Sequence, residues 1–298
     1  MREPKRLPIQ LSTARLLMNS QPATAIPELT IVTGASSNHF LPLQSLLWTI
    51  SKFEPNARVI VYDLGLTQSE RAQLSQNLPT PTNWELQPFD FSKYPPHFSM
   101  AENAGRMAFR PTVLAQVARE SLREGRVSSQ AISTSPPASR HPSLLLWLDA
   151  GCQLRERLDL LKASIRRDSV YCPCAPGSIA TCLHPASYPF LSVTSDLLTV
   201  PIRDAGICGF DITNQKVMAL LDHWAAVALD KNCTAPEGST RRTHRQDAVF
   251  AVLLNQAAKA NHWSLEGKRL RGLAIKQDTL TLTETQYRVL GALAARRQ

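Results

Sequence analysis

From about residue 29 the chain alternates between short apolar runs rich in β-branched residues and longer stretches with apolar positions at helical spacing. Short runs that are apolar throughout read as strands covered on both faces, so the alternation predicts a mostly parallel sheet with crossover helices. Residues 29–35 form the first run and end in the polar turn Thr33-Gly34-Ala35-Ser36-Ser37, after which Leu43, Leu46, Leu47 and Ile50 mark one face of a helix. A second strand is expected over 58–64, RVIVYDL, closing on Asp63 ahead of a helix in TQSERAQLSQNL with a capping Thr or Ser. A third is expected over 84–91, leading into FSKYPPHF, where two prolines impose an extended, structured loop.

Helical spacing resumes over 111–120, with Pro111 suited to a first turn. Residues 121–142 are rich in Ser, Pro and Arg and read as an exposed insertion. The most apolar run, 143–150 (SLLLWLDA), predicts a central strand, followed by a helix over 155–167 and an irregular Cys- and Pro-rich stretch over 171–190. A strand over 206–213, a helix over 214–229 with Asn214 near its cap, and a helix over 246–260 complete the core, and the tail from 269 predicts an edge strand and a terminal helix. The division is therefore an N-terminal extension (1–27), one α/β domain (28–265) and a C-terminal extension (266–298) packing on it.

Composition narrows the class. With 298 residues, 43% hydrophobic and 19% charged, the chain has the means to bury a core and does not read as disordered. The net charge of +9 is scattered, the densest groups being Arg166-Arg167 and Arg241-Arg242 with Arg245, and aromatics make up only 6%. That pattern argues against nucleic acid as a partner. No apolar stretch reaches the roughly 20 residues of a membrane span, so the reading is a soluble chain, membrane-bound only through an anchor absent from this sequence.

In a parallel sheet, ligands bind beyond the carboxyl ends of the strands, which draws attention to Thr33-Gly34-Ala35, Asp63, Asp149-Ala150-Gly151 and residues 209–211. TGASS suits a dinucleotide turn and hence an NAD(P)-dependent oxidoreductase, but Asn38, His39 and Phe40 stand where further glycines belong. Asp149 ends a strongly apolar strand, where an acid costs solvation unless a ligand, metal or charged partner uses it; the competing reading makes it the cap of the next helix. Cys172, Cys174, Cys182 and His184 leave zinc, a disulfide and free thiols all open.

The motifs VTGAS, VYDLGL, FDFSKYPP, FRP, LLWLDAG and HRQDAVF, in this order, resemble a WLDAG-containing group of nucleotide-diphospho-sugar transferase-like proteins. The resemblance covers roughly residues 28–262. It implies a single Rossmann-like domain of the glycosyltransferase A-type fold, with a mostly parallel mixed central sheet flanked by helices. It also implies an enzyme moving a hexosyl or related sugar from a nucleotide-diphosphate donor to a hydroxyl acceptor in a glycan, protein or small molecule, in a Golgi or secretory lumen.

By the same resemblance, Thr33, Gly34, Ala35, Asp63, Arg110, Gly151 and Gly209 bind the nucleotide sugar, Asp149 and Asp247 are catalytic, and Asp149 with His244 holds Mn or Mg. Gly151 departs from the Asp-x-Asp pattern of such enzymes, leaving one carboxylate where two would hold the cation. That departure keeps open a catalytically inactive, sugar-nucleotide-binding module. Plainer roles stand beside these: His244 as a neighbour of a helix cap in a basic loop, and Arg110 as a solvated residue at a helix start.

Overall fold

The computed structural model describes residues 28–76, 81, 83–100, 107–132, 143–265 and 275–276. The strands are β1 (Leu29–Ala35), β2 (Arg58–Asp63), β3 (Asn83–Pro88), β4 (Leu144–Leu148), β5 (Gln153–Leu154), β6 (Val170–Tyr171), β7 (Cys174–Ser178), β8 (Pro201–Arg203), β9 (Ile207–Asp211) and β10 (Ile275–Lys276). The helices are α1 (Phe40–Phe53), α2 (Gln68–Gln76), α3 (Phe109–Ile132), α4 (Asp159–Asp168), α5 (Ile179–Cys182), α6 (Gln215–Ala228), α7 (Lys231–Thr234) and α8 (Gln246–Asn261).

Six strands form the central sheet in the order β3-β2-β1-β4-β9-β6. β3, β2, β1 and β4 run parallel, and β9 is reversed between β4 and β6. The mixed, mostly parallel α/β architecture expected from the alternation is the one observed. Within the sheet, side chains alternate between two covered faces. Val32, Ile60, Tyr62, Leu145, Trp147 and Phe210 meet α3, α6 and α8 on one side. Ile31, Val59, Val61, Leu146 and Ile207 meet α1 and α4 on the other. Trp224 of α6 stacks on Phe250 of α8 with centroids 4.0 Å apart, tying two helices of the first layer together.

Several boundaries differ from the sequence reading. The helix expected to end near 120 continues through Ile132, with Ser121 buried and Leu122 against the core, so the first part of the expected exposed insertion is helical; 133–142 lie outside the described residues. The third strand stops at Pro88. The stretch expected to be irregular contains β7 and α5. FSKYPPHF packs as a structured loop: Tyr94 stacks between Phe89 and Phe98, and His97 Nε2 donates to the Ala228 carbonyl at 2.8 Å. Beyond residue 265 only β10 is described, paired antiparallel with β5; residues 1–27, the expected N-terminal extension, lie outside the described residues. No helix among the described residues is long and apolar enough to cross a membrane.

Candidate functional site

The chain leaves β1 toward β2 on one side, whereas β4 lies on the other side of β1. The carboxyl ends of β1 and β4 therefore flank the point where strand order reverses, the place where an open α/β sheet forms a crevice. Asp149 follows β4 directly, and its backbone N–H donates to the Gly206 carbonyl at 2.9 Å, continuing the pairing with the incoming end of β9.

Three helix and loop segments converge on that carboxylate. Trp147, two residues earlier and on the same sheet face, donates its indole N–H to Asp149 Oδ1 at 2.6 Å. Arg110, in the first turn of α3, donates from Nη2 to Oδ1 at 3.0 Å and Oδ2 at 3.3 Å. Phe109 fixes this turn by lodging in the core against Trp147, and the Arg110 guanidinium lies over the Trp147 ring at 5.4 Å, a cation–π contact. Asp247, in the first turn of α8, lies 4.0 Å from Arg110 Nη1. Its oxygens accept from the Ala205 backbone N–H at 3.2 Å and from Arg245 at 2.6 Å. Asp204 accepts from the Gly206 N–H at 3.1 Å, which shapes the loop entering β9. Gly206 has to be small, because a Cβ there would lie 2.7 Å from Asp149 Oδ2.

The Arg110 side chain is only 3% exposed and that of Asp149 is 39% exposed. The guanidinium thus lies beneath, and the carboxylate is the part that a ligand reaches. Burial pulls the Arg110 pKa down, but Asp149, Asp247 and Asp204 outweigh it and hold the group above its ordinary value, so it stays charged. The neighbouring Cys208 thiol is pushed up, chiefly by burial, and stays neutral. Three carboxylates against the guanidiniums of Arg110 and Arg245 leave one net negative charge. A fixed, half-exposed carboxylate in such a setting suits hydrogen bonds from ligand hydroxyls.

Of the residues expected from sequence, Asp149, Arg110 and Asp247 come together. Asp149 does not cap the next helix, since α4 begins at Asp159, and Arg110 is not solvated. Gly151 lies in the turn after β4, where the Cys152 N–H closes on the Asp149 carbonyl at 2.8 Å. Thr33, Gly34 and Ala35 end β1 at the same sheet edge, but Thr33 shares the face of Ile31 and Ala35, two residues to either side, and so lies on the face opposite Trp147. Thr33 Oγ1 is buried without a hydrogen-bond partner among the described residues.

Asp63 also belongs to the opposite face and is spent locally. It accepts from the backbone N–H groups of Gly65 and Leu66 at 2.9 and 2.7 Å and from Arg71. Burial raises its pKa, and these donors outweigh burial and hold it below the ordinary carboxylate value. Gly209 pairs with Leu146 in mid-sheet, and a Cβ there would meet Ile165 of α4 at 2.4 Å; it serves packing away from the cluster.

His244 is 1% exposed. Its Nδ1 accepts from the His184 backbone N–H at 3.4 Å. Burial, with a smaller push from His184, lowers its pKa to about 4, against the Cys233 carbonyl, so it is neutral at pH 7. All six cysteines are free thiols.

Sequence reasoning missed Trp147, Asp204, Gly206 and Arg245. Asp204 and Gly206 had a usable signal in the polar string RDAG ahead of an apolar run, but only a reversed strand brings that end to the site.

The expected pairing of Asp149 with His244 around Mn or Mg does not fit these residues. Asp149 Oδ1 is engaged by Trp147 and Arg110, and a dication beside it would face the fixed guanidinium; unit charges at about 4 Å repel by about 4 kcal/mol at an effective dielectric of about 20. His244 has separate surroundings at His184, and among the described residues no three His, Cys, Asp or Glu side chains form a group able to hold a metal.

Fold and site together define a mixed α/β protein with an arginine-bridged acidic cluster at the carboxyl edge of its sheet. A family model described as a protein of unknown function (DUF1647) matches residues 5–115, which include Arg110 and stop before Asp149 and Asp247. No curated protein matches the chain. Similar solved structures include the apo bifunctional glycosyltransferase WbbM at 12% identity and TM-score 0.47, covering 77% of this chain and 38% of that one. The galactosyltransferase LgtC, in complex with donor and acceptor sugar analogs, aligns at 14% identity and TM-score 0.45 over 89% of this chain and 95% of that one. Core-mannan synthase A from Aspergillus fumigatus, in a Mn/GDP form, aligns at 11% identity and TM-score 0.41 over 76% and 69%.

Proposed function

We propose that this protein transfers a glycosyl group from a nucleotide-diphosphate sugar to a hydroxyl acceptor. The observation that carries the reading is the convergence of three of the resembling motifs: FRP, LLWLDAG and HRQDAVF each contribute one charged side chain, Arg110, Asp149 and Asp247, to a single cluster beside the strand-order reversal.

In this reading the donor lies across the ends of β1 and β4, with its nucleotide against the backbone of residues 33–35 and the turn at Gly151. The sugar ring sits over Asp149, whose solvent-facing carboxylate accepts hydrogen bonds from sugar hydroxyls. Arg110 and Trp147 hold that carboxylate in one orientation, the preorganisation that lets a hydrogen bond strengthen as charge develops at the anomeric carbon. The acceptor oxygen bonds to that carbon, the bond to the donor phosphate oxygen breaks, and the nucleoside diphosphate leaves with the electron pair and takes up the acceptor's hydroxyl proton. Asp247, whose two oxygens each accept a hydrogen bond, braces Arg110 and the loop at 203–206. No step runs through a metal.

Isothermal titration with a panel of nucleotide sugars tests the reading, the expected result being saturable binding of at least one donor. Asp149→Ala is expected to weaken it roughly 30-fold, equivalent to about 2 kcal/mol for removing a charged hydrogen-bond acceptor. Silence across the panel overturns the proposal. The engagement of both Asp247 oxygens, together with Gly151 in place of an acid, favours a second reading, binding without turnover. Donor hydrolysis by the wild type that disappears in Asp149→Ala excludes it.

A further inference from the structure

We infer that three buried thiols, those of Cys208, Cys172 and Cys152, are positioning groups for this site: each donates to one of three successive carbonyls in the loop 204–206, and the loop passes that hold on to the carboxylate of Asp149. Their effect on ligand binding rests on the reading of Asp149 as a ligand contact, whereas their effect on the loop does not.

The backbone of the loop can be accounted for group by group. The N–H groups of Asp204, Ala205 and Gly206 go to the Pro173 carbonyl at 2.8 Å, to Asp247 Oδ1 at 3.2 Å and to Asp204 Oδ1 at 3.1 Å. On the carbonyl side, Cys172 Sγ meets Asp204 at 3.5 Å, Cys208 Sγ meets Ala205 at 3.6 Å and Cys152 Sγ meets Gly206 at 3.9 Å. Cys152 comes from the turn after β4, Cys172 follows β6 and Cys208 lies in β9, so three separate stretches of chain clamp one loop. The Asp204 and Gly206 carbonyls also accept from the N–H groups of Ile207 and Asp149. Ala205 is fully buried, out of reach of water, and its carbonyl is served by Cys208.

A thiol is a weak donor, but here it is a neutral one. Burial pushes the Cys172 and Cys208 thiols above their ordinary range, so both keep the proton they donate and add no charge beside three carboxylates. The loop in turn abuts the site. The Gly206 carbonyl holds the Asp149 N–H at 2.9 Å, and a Cβ at Gly206 would lie 2.7 Å from Asp149 Oδ2, so a small shift of residues 205–206 is felt at the carboxylate.

Cys208→Ala and Cys208→Ser separate a donor from a side chain that merely fills space, because they differ by one hydroxyl. Cys208→Ala is expected to speed hydrogen exchange of the Ala205 and Gly206 amides about fivefold, the weight of one net hydrogen bond, and Cys208→Ser to restore the wild-type rate. Donor titration is expected to follow the same order, with Cys208→Ser close to wild type and Cys208→Ala about fivefold weaker. Equal exchange at 205–206 in the two variants overturns the inference, as does an exchange difference with unchanged donor affinity. Should Cys208→Ala fail to fold, the pair Cys172→Ala and Cys172→Ser puts the same question to the Asp204 carbonyl. Donor silence in the wild type sinks the glycosyl-transfer reading, and amide exchange then decides by itself whether the thiols hold the loop.

Discussion

Asp149 is held by two neighbours of different kinds, an indole N–H from its own strand and a guanidinium from the start of α3. Such a carboxylate is sensitive to small displacements, and Gly206 offers a way to impose one. The Cβ of Gly206→Ala would meet Asp149 Oδ2 at 2.7 Å and Cγ at 3.2 Å, so the carboxylate has to turn away from Arg110. The expected outcome is weaker ligand binding with a stability loss of about 1–3 kcal/mol, typical of overpacking, measured by donor titration and urea unfolding on the same preparation. Unchanged affinity would detach Asp149 from the binding site. Asp149 was legible as a candidate because a charged residue at the end of an apolar run has a desolvation cost to justify, whereas Arg110 was singled out only through the FRP motif of the resemblance. That each is the other's partner was not legible, since 39 residues separate them in the chain.

At the scale of elements, the reversal of β9 decides which residues reach the site. A rule built on parallel strands points to carboxyl ends, and it selects Gly209 and its successors. In an antiparallel strand the entering loop arrives instead, so Asp204 and Gly206 meet Asp149, while Asp211 pairs with Leu144 at the far end of β4. Gly209 is needed for the approach of α4. Gly209→Ala is expected to cost about 1–3 kcal/mol in urea unfolding, through the 2.4 Å clash with Ile165, and to leave ligand affinity unchanged. A loss of affinity without a loss of stability would return Gly209 to the site. The extension of α3 past residue 120 has a similar explanation. The Ser-, Pro- and Arg-rich composition averaged over 121–142 suggested a loop, but the helix-breaking Pro136-Pro137 falls late, and the residues before it include Leu, Arg, Glu and Gln, which support a helix.

For the molecule as a whole, the buried neutral His244 links stability to pH. Its pKa is about 4 in the folded protein against an ordinary 6.5, so the unfolded chain takes up the proton first as pH falls. The native state therefore loses roughly 3 kcal/mol as pH falls through that window, at about 1.4 kcal/mol per unit. Urea unfolding followed from neutral to acid pH is expected to show this slope, and His244→Asn, which keeps an acceptor for the His184 N–H, is expected to flatten it. The whole molecule also separates what sequence determines from what only tertiary structure decides. Strand and helix identity in the core followed from periodicity, because burial of a face imposes a repeat of two or 3.6 on neighbouring residues. The carboxyl ends of β1, β2 and β4 were legible for the same reason. Which face each polar end belongs to, the direction of β9 and the partner of each charge depend on contacts between residues far apart in the chain. Local repeat carries no record of those contacts, so Asp63 could be read as a ligand contact until Arg71 and the Gly65 and Leu66 amides were seen to occupy it.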